Sequence, residues 1–391
     1  DGIYSEDSKW LAHDRLKPEG YAGYGPNISQ SNGISLYGGN LSAGSISLLG
    51  SGTSADQQAV DLSRRVLSSS DSDNHGVALR DVDLHAGQSL VVMGSAGSGN
   101  SVLDGVHLED STLFTGKKMI ITGQGSSDYG QKIESSDGIY AVSSLLESDG
   151  TINLSGSGGS GWSIENSHGV ELLGRTVVDG KRVAIEGNGG FAEKKNKVSS
   201  GVLIEDSKVL SLITEIDGTG GAGLTKVKFS DGVYLDNSLI KSDLLSINGF
   251  AGIAGKKVDR STGVYSFDSR LKSSEILIRG FSGYGEMLKL SHGVDFVSTK
   301  LFADTIDIVG RPITDGIDSS IPGDSSISWG ELNQGISIQE QSELIASDDL
   351  RLRGAGGNGI SQLDGIDIAN SSIQSGNTLR IVGVGGSGED L

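Results

Sequence analysis

"DGVYLDNSLIKSDLLSINGFAG", residues 231–252, is followed by "TGVYSFDSRLKSSEILIRGFSG" at 262–283, and the same pattern stands earlier as "DGVHLEDSTLFTGKKMIITGQG" at 104–125. Each copy opens on Gly followed by Val or Ile. It then alternates apolar and polar residues, breaks at a short Asp/Asn/Ser turn, alternates again and closes on a second Gly. A hydrophobic period of two argues for strand. Val233 and Leu235, Ile240, then Leu245 and Ile247 mark one side of three short strands. Three such strands cannot close a core alone.

The pattern runs through all 391 residues. Opening glycines fall at Gly2, Gly33, Gly76, Gly105, Gly138 and Gly169, and again at Gly201, Gly232, Gly263, Gly293, Gly335 and Gly365. Most steps between them are 29 to 33 residues, and two are longer, at 43 and 42. The closing glycine follows 17 to 19 positions later, so length variation lies in the segment after it. A short internal period overrides the usual inference of two or three domains from length. Stacking the units satisfies backbone groups between coils and joins the apolar slots into internal columns. The expected fold is all-β: a right-handed parallel β-helix, or β-solenoid, of about twelve coils of roughly 30 residues. Each coil has three short strands and one variable loop corner. At a strand spacing of roughly 4.8 Å, twelve coils make a rod roughly 55–60 Å long.

A serine six residues after the opening glycine recurs at Ser111, Ser144, Ser207, Ser238, Ser269 and Ser371, which predicts a hydrogen-bonding ladder at a turn. The extra residues of the long units, 51–74 and 311–334, leave from the same corner and are expected to project from one side of the rod. Within the first, "ADQQAVDLSRRVL" is compatible with a helical turn or two. No cap covers the ends of the pattern. The chain is therefore expected to be one solenoid segment, continued by further repeats or stacked end to end.

There are 61 glycines, 4 prolines and no cysteine, which rules out disulfides, thiolate zinc sites and thiol catalysis. The net charge of −19 argues against nucleic acid, whose phosphates need a cationic face. Its distribution is uneven: −12 over residues 1–174, +3 over 175–300 and −10 over 301–391. No apolar run is long enough to suggest membrane insertion.

Candidate chemistry is sparse. His75, His168 and His292 share the slot before an opening glycine but lie three and four coils apart, too far to ligate one ion. Asp104 and Asp137 share that slot in neighbouring coils. Either a bound cation relieves their repulsion or they are solvated turn carboxylates, and the second is expected. The glycine clusters at 158–166 and 220–229 lack the Asp of calcium-binding nonapeptides. "GSAGSGNS" (94–101) lacks the Lys-Ser/Thr ending of a phosphate loop. No metal, cofactor or catalytic residue is expected. The candidate binding surface is aromatic: Tyr234 and Tyr265 occupy outward slots of adjacent coils, and Phe250 and Phe281 follow the closing glycines of the same coils. Such rings bind sugar faces or stabilise the ladder by packing on each other.

The unit G-[IV]-x-[LI]-x-x-S-x-[LI]…[LI]-x-[IL]-x-G, seen again in "DGIDIANSSIQSGNTLRIVGVGGSG" (364–388), resembles the repeats of filamentous haemagglutinin-like exoproteins. The resemblance covers essentially the whole chain, although the glycine-rich corner here is longer than in the usual shaft repeat. It implies a secreted or cell-surface β-solenoid adhesin, in many members exported by two-partner secretion. The implied partners are a host or neighbouring cell surface, or a glycan. The expected function is a structural shaft and not an enzyme. A carbohydrate-binding β-helix module is the first alternative and a polysaccharide lyase or hydrolase the second.

Overall fold

A computed structural model describes residues 1–22, 31–52, 73–99, 101–284, 287–312, 329–357 and 359–387. Most of the two long insertions, and the helical turn expected in one of them, lie outside the described residues. Among the described residues there is no helix. The chain is a β-solenoid in which every assigned pairing between strands is parallel and joins one coil to the next.

The first sheet contains twelve strands, one per coil, in strict sequence order. Val233–Asp236, for example, pairs with Val202–Glu205 on one side and Val264–Phe267 on the other, residue for residue. The second sheet carries the rest of the alternating pattern. It is one long strand in some coils, such as Leu145–Ser157, and two shorter ones in others, such as Leu239–Lys241 and Leu244–Phe250. Val233, Leu235, Ile240, Leu245 and Ile247 all point into one continuous aliphatic core. Burying each such side chain contributes about 1.5–3 kcal/mol.

The corner that the sequence leaves as a variable loop is a third sheet. It contains nine strands, among them Ser160–Asn166, Phe191–Val198, Lys226–Phe229 and Lys257–Arg260, also stacked in parallel. Three of its pairings carry register shifts: the two from Ser127–Ser135 to Phe191–Val198, and that of Trp329–Leu332 with Gly359–Gln362. Strands such as Ser160–Asn166, Lys226–Phe229 and Lys257–Arg260 each send a single apolar side chain into a small core cluster, Ile164, Val227 and Val258, so no period of two is visible in sequence.

Three side-chain devices set the register. At the turn between the first and second sheets, Asn237 takes a left-handed conformation (φ 43°), as do Asp206 and Asp268 at the same position. Asn and Asp tolerate this region better than other non-glycine residues. The next residue is the predicted serine. Ser238 Oγ accepts the Ser207 amide at 3.2 Å and donates to the Asp236 carbonyl at 2.7 Å, and Ser269 Oγ accepts the Ser238 amide at 3.0 Å. Where the second sheet passes the first, the backbones touch: a Cβ on Gly249 would overlap the Gly263 carbonyl and lie 2.8 Å from Val264 Cγ2. This is why opening and closing glycines recur together.

The third device is a serine column that the sequence reading did not single out. Ser167, Ser199, Ser230 and Ser261 are buried. Each donates to the carbonyl of its counterpart one coil earlier, as in Ser199 to Ser167 at 2.8 Å. They face the glycine pairs of the third corner. A Cβ on Gly221 would collide with Ser199 Oγ, which accounts for the glycine clusters without any ion.

Candidate functional site

The third sheet returns to the first through the residue that precedes each opening glycine. At Asn32, His75, Asp104, Asp137, His168, Ser200 and Thr262 the side chain of the same slot one coil earlier accepts that residue's amide. The His75 amide donates to Asn32 Oδ1 (2.7 Å), Asp104 to His75 Nδ1 (3.2 Å) and Asp137 to Asp104 Oδ1 (3.1 Å). His168 donates to Asp137 Oδ1, Ser200 to His168 Nδ1 (3.1 Å) and Thr262 to Asp231 Oδ1 (3.0 Å). Asn, Asp and neutral His share an acceptor atom attached to Cγ, and that atom satisfies a buried amide. The slot is therefore a structural ladder. Its residues were legible in sequence, but the rule joining the three residue types was not recognised.

Three residues further on, a second column runs beside it on the first sheet, through His107, Tyr140 and Glu171 and then Tyr234, Tyr265 and Asp295. Together the columns make a polar strip with two chemically distinct regions.

In the first region, His75, Asp104 and His107 are 1%, 0% and 7% exposed. Asp104 Oδ2 lies 2.9 Å from His107 Nδ1 and 3.6 Å from His75 Nδ1. The two imidazoles are 4.5 Å apart, and His107 stacks on Tyr140 at 4.9 Å. Burial, followed by the proximity of His107 and Arg80, pushes His75 well below the ordinary histidine range. His75 is therefore neutral, with Nδ1 as acceptor and the proton on Nε2, an atom with no hydrogen-bond partner. Burial raises the Asp104 carboxyl, opposed by its hydrogen bond with His107. Two coils further along, Asp137, His168 and Glu171 form a second cluster. Burial, then the adjacent Asp137 carboxylate, holds Glu171 well above the usual carboxylate range, and burial lowers His168. Ser135 Oγ donates to Asp137 Oδ2 at 2.8 Å.

These observations correct one expectation. Asp104 and Asp137 are not solvated turn carboxylates; both are fully buried, because their side chains lie along the rod axis to cap the following coil. His75, His168 and His292 do not meet, as expected. The partners of His75 and His168 are instead diagonal neighbours. His107 and Glu171 were not singled out in sequence, because only residues of one slot were compared.

The second region holds the predicted aromatics. Tyr234 and Tyr265 stack at 5.1 Å, and Phe250 and Phe281 stack face to face at 4.6 Å. They are two separate pairs. Arg260 lies against the tyrosines, its guanidinium carbon 4.3 Å from the Tyr265 ring centroid, and ion-pairs with buried Asp231 at 2.7 Å. Burial works against the Arg260 charge, but Asp231 more than offsets it and its pKa is raised. Burial also raises both tyrosine hydroxyls.

Surface grooves lie elsewhere. One is lined by Lys118, Ile120, Asn153, Arg182 and Glu186, another by Asp206, Lys208, Asn237, Asp268, Arg270 and Lys300. Neither includes the buried acids, so the acid cluster does not line an open substrate cleft in either. Comparison with known proteins gave no significant match among protein-family models, curated proteins or solved structures.

Proposed function

We propose that this chain is a rigid spacer, the shaft of a secreted or cell-surface adhesin or filament. The observation that carries this reading is continuity. Twelve strands of the first sheet follow one another without exchange, and side-chain ladders repeat the backbone register at three corners. A rod built this way resists bending because every coil is hydrogen-bonded to the next along its perimeter. The acidic net charge suits a solvated shaft that does not self-associate.

The aromatic pairs give weaker support to carbohydrate binding. Tyr234 and Tyr265 each turn one face to the other, so the stack satisfies itself before any sugar arrives.

Excision of residues 232–292 removes two whole coils and rejoins Asp231 to Gly293 in register. Small-angle scattering of this variant should show a folded rod shorter by about 10 Å. The intact chain should bind no glycan on an array. Saturable glycan binding lost in Tyr234→Ala and Tyr265→Ala would replace the spacer with a carbohydrate-binding module. Turnover of an anionic polysaccharide would replace it with an enzyme.

A further inference from the structure

The two clusters, the first buried and the second buried except for the half-buried Glu171, occupy the same three positions of the solenoid. Each takes the slot residue of one coil, the slot residue of the next, and the residue three further on. In the first set these are His75, Asp104 and His107; in the second, Asp137, His168 and Glu171. Within each set, one donor atom from every residue lies within 4.8 Å of the other two. The repeat distance from set to set is two coils, about 10 Å along the rod.

We propose that each set binds one divalent first-row transition ion of the zinc type, giving two tandem metal sites that staple neighbouring coils together. The donors suit such an ion: two imidazole nitrogens and a carboxylate in the first set, one imidazole and two carboxylates in the second. The spacing suits it as well. Ligands about 2.0–2.1 Å from a tetrahedral ion stand about 3.4 Å apart, and the two measured separations at Asp104 Oδ2, 2.9 and 3.6 Å, bracket that value.

Protonation is already arranged for ligation at His75, whose Nε2–H tautomer leaves the Nδ1 lone pair facing Asp104 Oδ2. Ligation there exchanges one long hydrogen bond, from the Asp104 amide at 3.2 Å, for a metal bond. His107 ligates through Nδ1 once its proton sits on Nε2, which lies 3.7 Å from Glu109 Oε2. A carboxylate behind a ligating imidazole is the usual outer support of such a site. In the second set a divalent ion between the Asp137 and Glu171 carboxylates would offset their mutual repulsion. Each site joins two coils, so metal binding adds directly to folding stability.

The test is a zinc titration by calorimetry on the full chain, stripped with chelator and carrying no histidine tag. Cobalt absorption on the same material reads the coordination geometry. Two equivalents are expected, with a rise in melting temperature and the intense visible bands of a tetrahedral site. Asp104→Asn keeps the Oδ1 acceptor for the Asp137 amide but weakens the donor, and should lose one equivalent. Glu171→Gln should lose the other, and the double variant should bind none and show no thermal shift. If Asp104→Asn fails to fold, His107→Phe, which keeps the stack on Tyr140, tests the same site. No binding by the folded wild type, or two equivalents retained in both single variants, overturns the proposal. One equivalent lost only in Asp104→Asn establishes the first site and removes the second.

Discussion

The strip around Asp104 and the strip around Asp231 are built on the same two columns of the same solenoid, yet they solve the burial of a carboxylate differently. Both aspartates cap the amide of the next coil through Oδ1. Asp104 meets the imidazoles of His75 and His107, and burial raises its pKa against the hydrogen bond with His107. Asp231 meets a full positive charge, Arg260, held under two tyrosines. The ladder fixes only one oxygen of the slot residue. The other oxygen and the neighbouring column are free to vary, and that freedom lets one repeat carry a histidine–acid cluster in one place and a cation–aromatic stack in another.

The largest expected effect falls on the feature both regions share. Gly249→Val drives a side chain into the Gly263 carbonyl and should cost more than about 4 kcal/mol or abolish folding, as read by denaturant unfolding. A mild cost would mean that the two backbone runs are not in contact.

The next effect separates the regions. Arg260→Met leaves Asp231 buried without its cation and should cost about 3–5 kcal/mol. Asp104→Asn retains the ladder acceptor and a hydrogen-bonding group for His107, and should cost about 1 kcal/mol or less in metal-free protein. Equal costs would erase the distinction between the two solutions.

The smallest effect is a pH dependence confined to the histidine–acid region. His168 has its pKa lowered from 6.5 by burial, so the folded chain binds its proton less readily than the unfolded chain. The stability it contributes is whole above pH 6.5 and is lost as pH falls toward the lowered value, at up to about 1.4 kcal/mol per pH unit. His168→Asn, which copies Asn32 in the same slot, should melt like wild type at pH 8 and better than wild type at pH 5. Glu171 has the opposite sign. Its pKa is raised from 4.5, so its contribution is present below pH 4.5 and is lost as pH rises through the raised value. Glu171→Gln should remove that loss. Melting curves from pH 4 to 8 test both.

The stack was legible in sequence because its signals recur at fixed distance: paired glycines, aliphatic residues at a period of two, and Asp/Asn-Ser at one turn. The third sheet was not, because a four-residue strand such as Lys226–Phe229 buries Val227 and little else. Four of the six residues of the two histidine–acid clusters, His75, Asp104, Asp137 and His168, were visible as slot residues. His107 and Glu171 stayed hidden because the contact is diagonal, from one column to the next coil's neighbour, and comparison within a column cannot show it. Tyr234 and Tyr265 were placed correctly as stacking neighbours, whereas Arg260 beneath them lies on the strand whose period was unreadable.

The central claim is that equivalent residues of successive coils lie directly on one another. The chain has no cysteine, so a pair introduced at Lys241→Cys and Lys272→Cys reports this without interference. These residues are register partners on exposed positions of the second sheet. Adjacent parallel strands bring their Cα atoms within reach of a disulfide, about 4.4–6.8 Å, and residues two coils apart lie beyond it. Oxidation should close the Lys241→Cys/Lys272→Cys pair within the monomer and leave Lys241→Cys/Phe302→Cys open. A closed second pair with an open first would contradict the stacking on which the account rests.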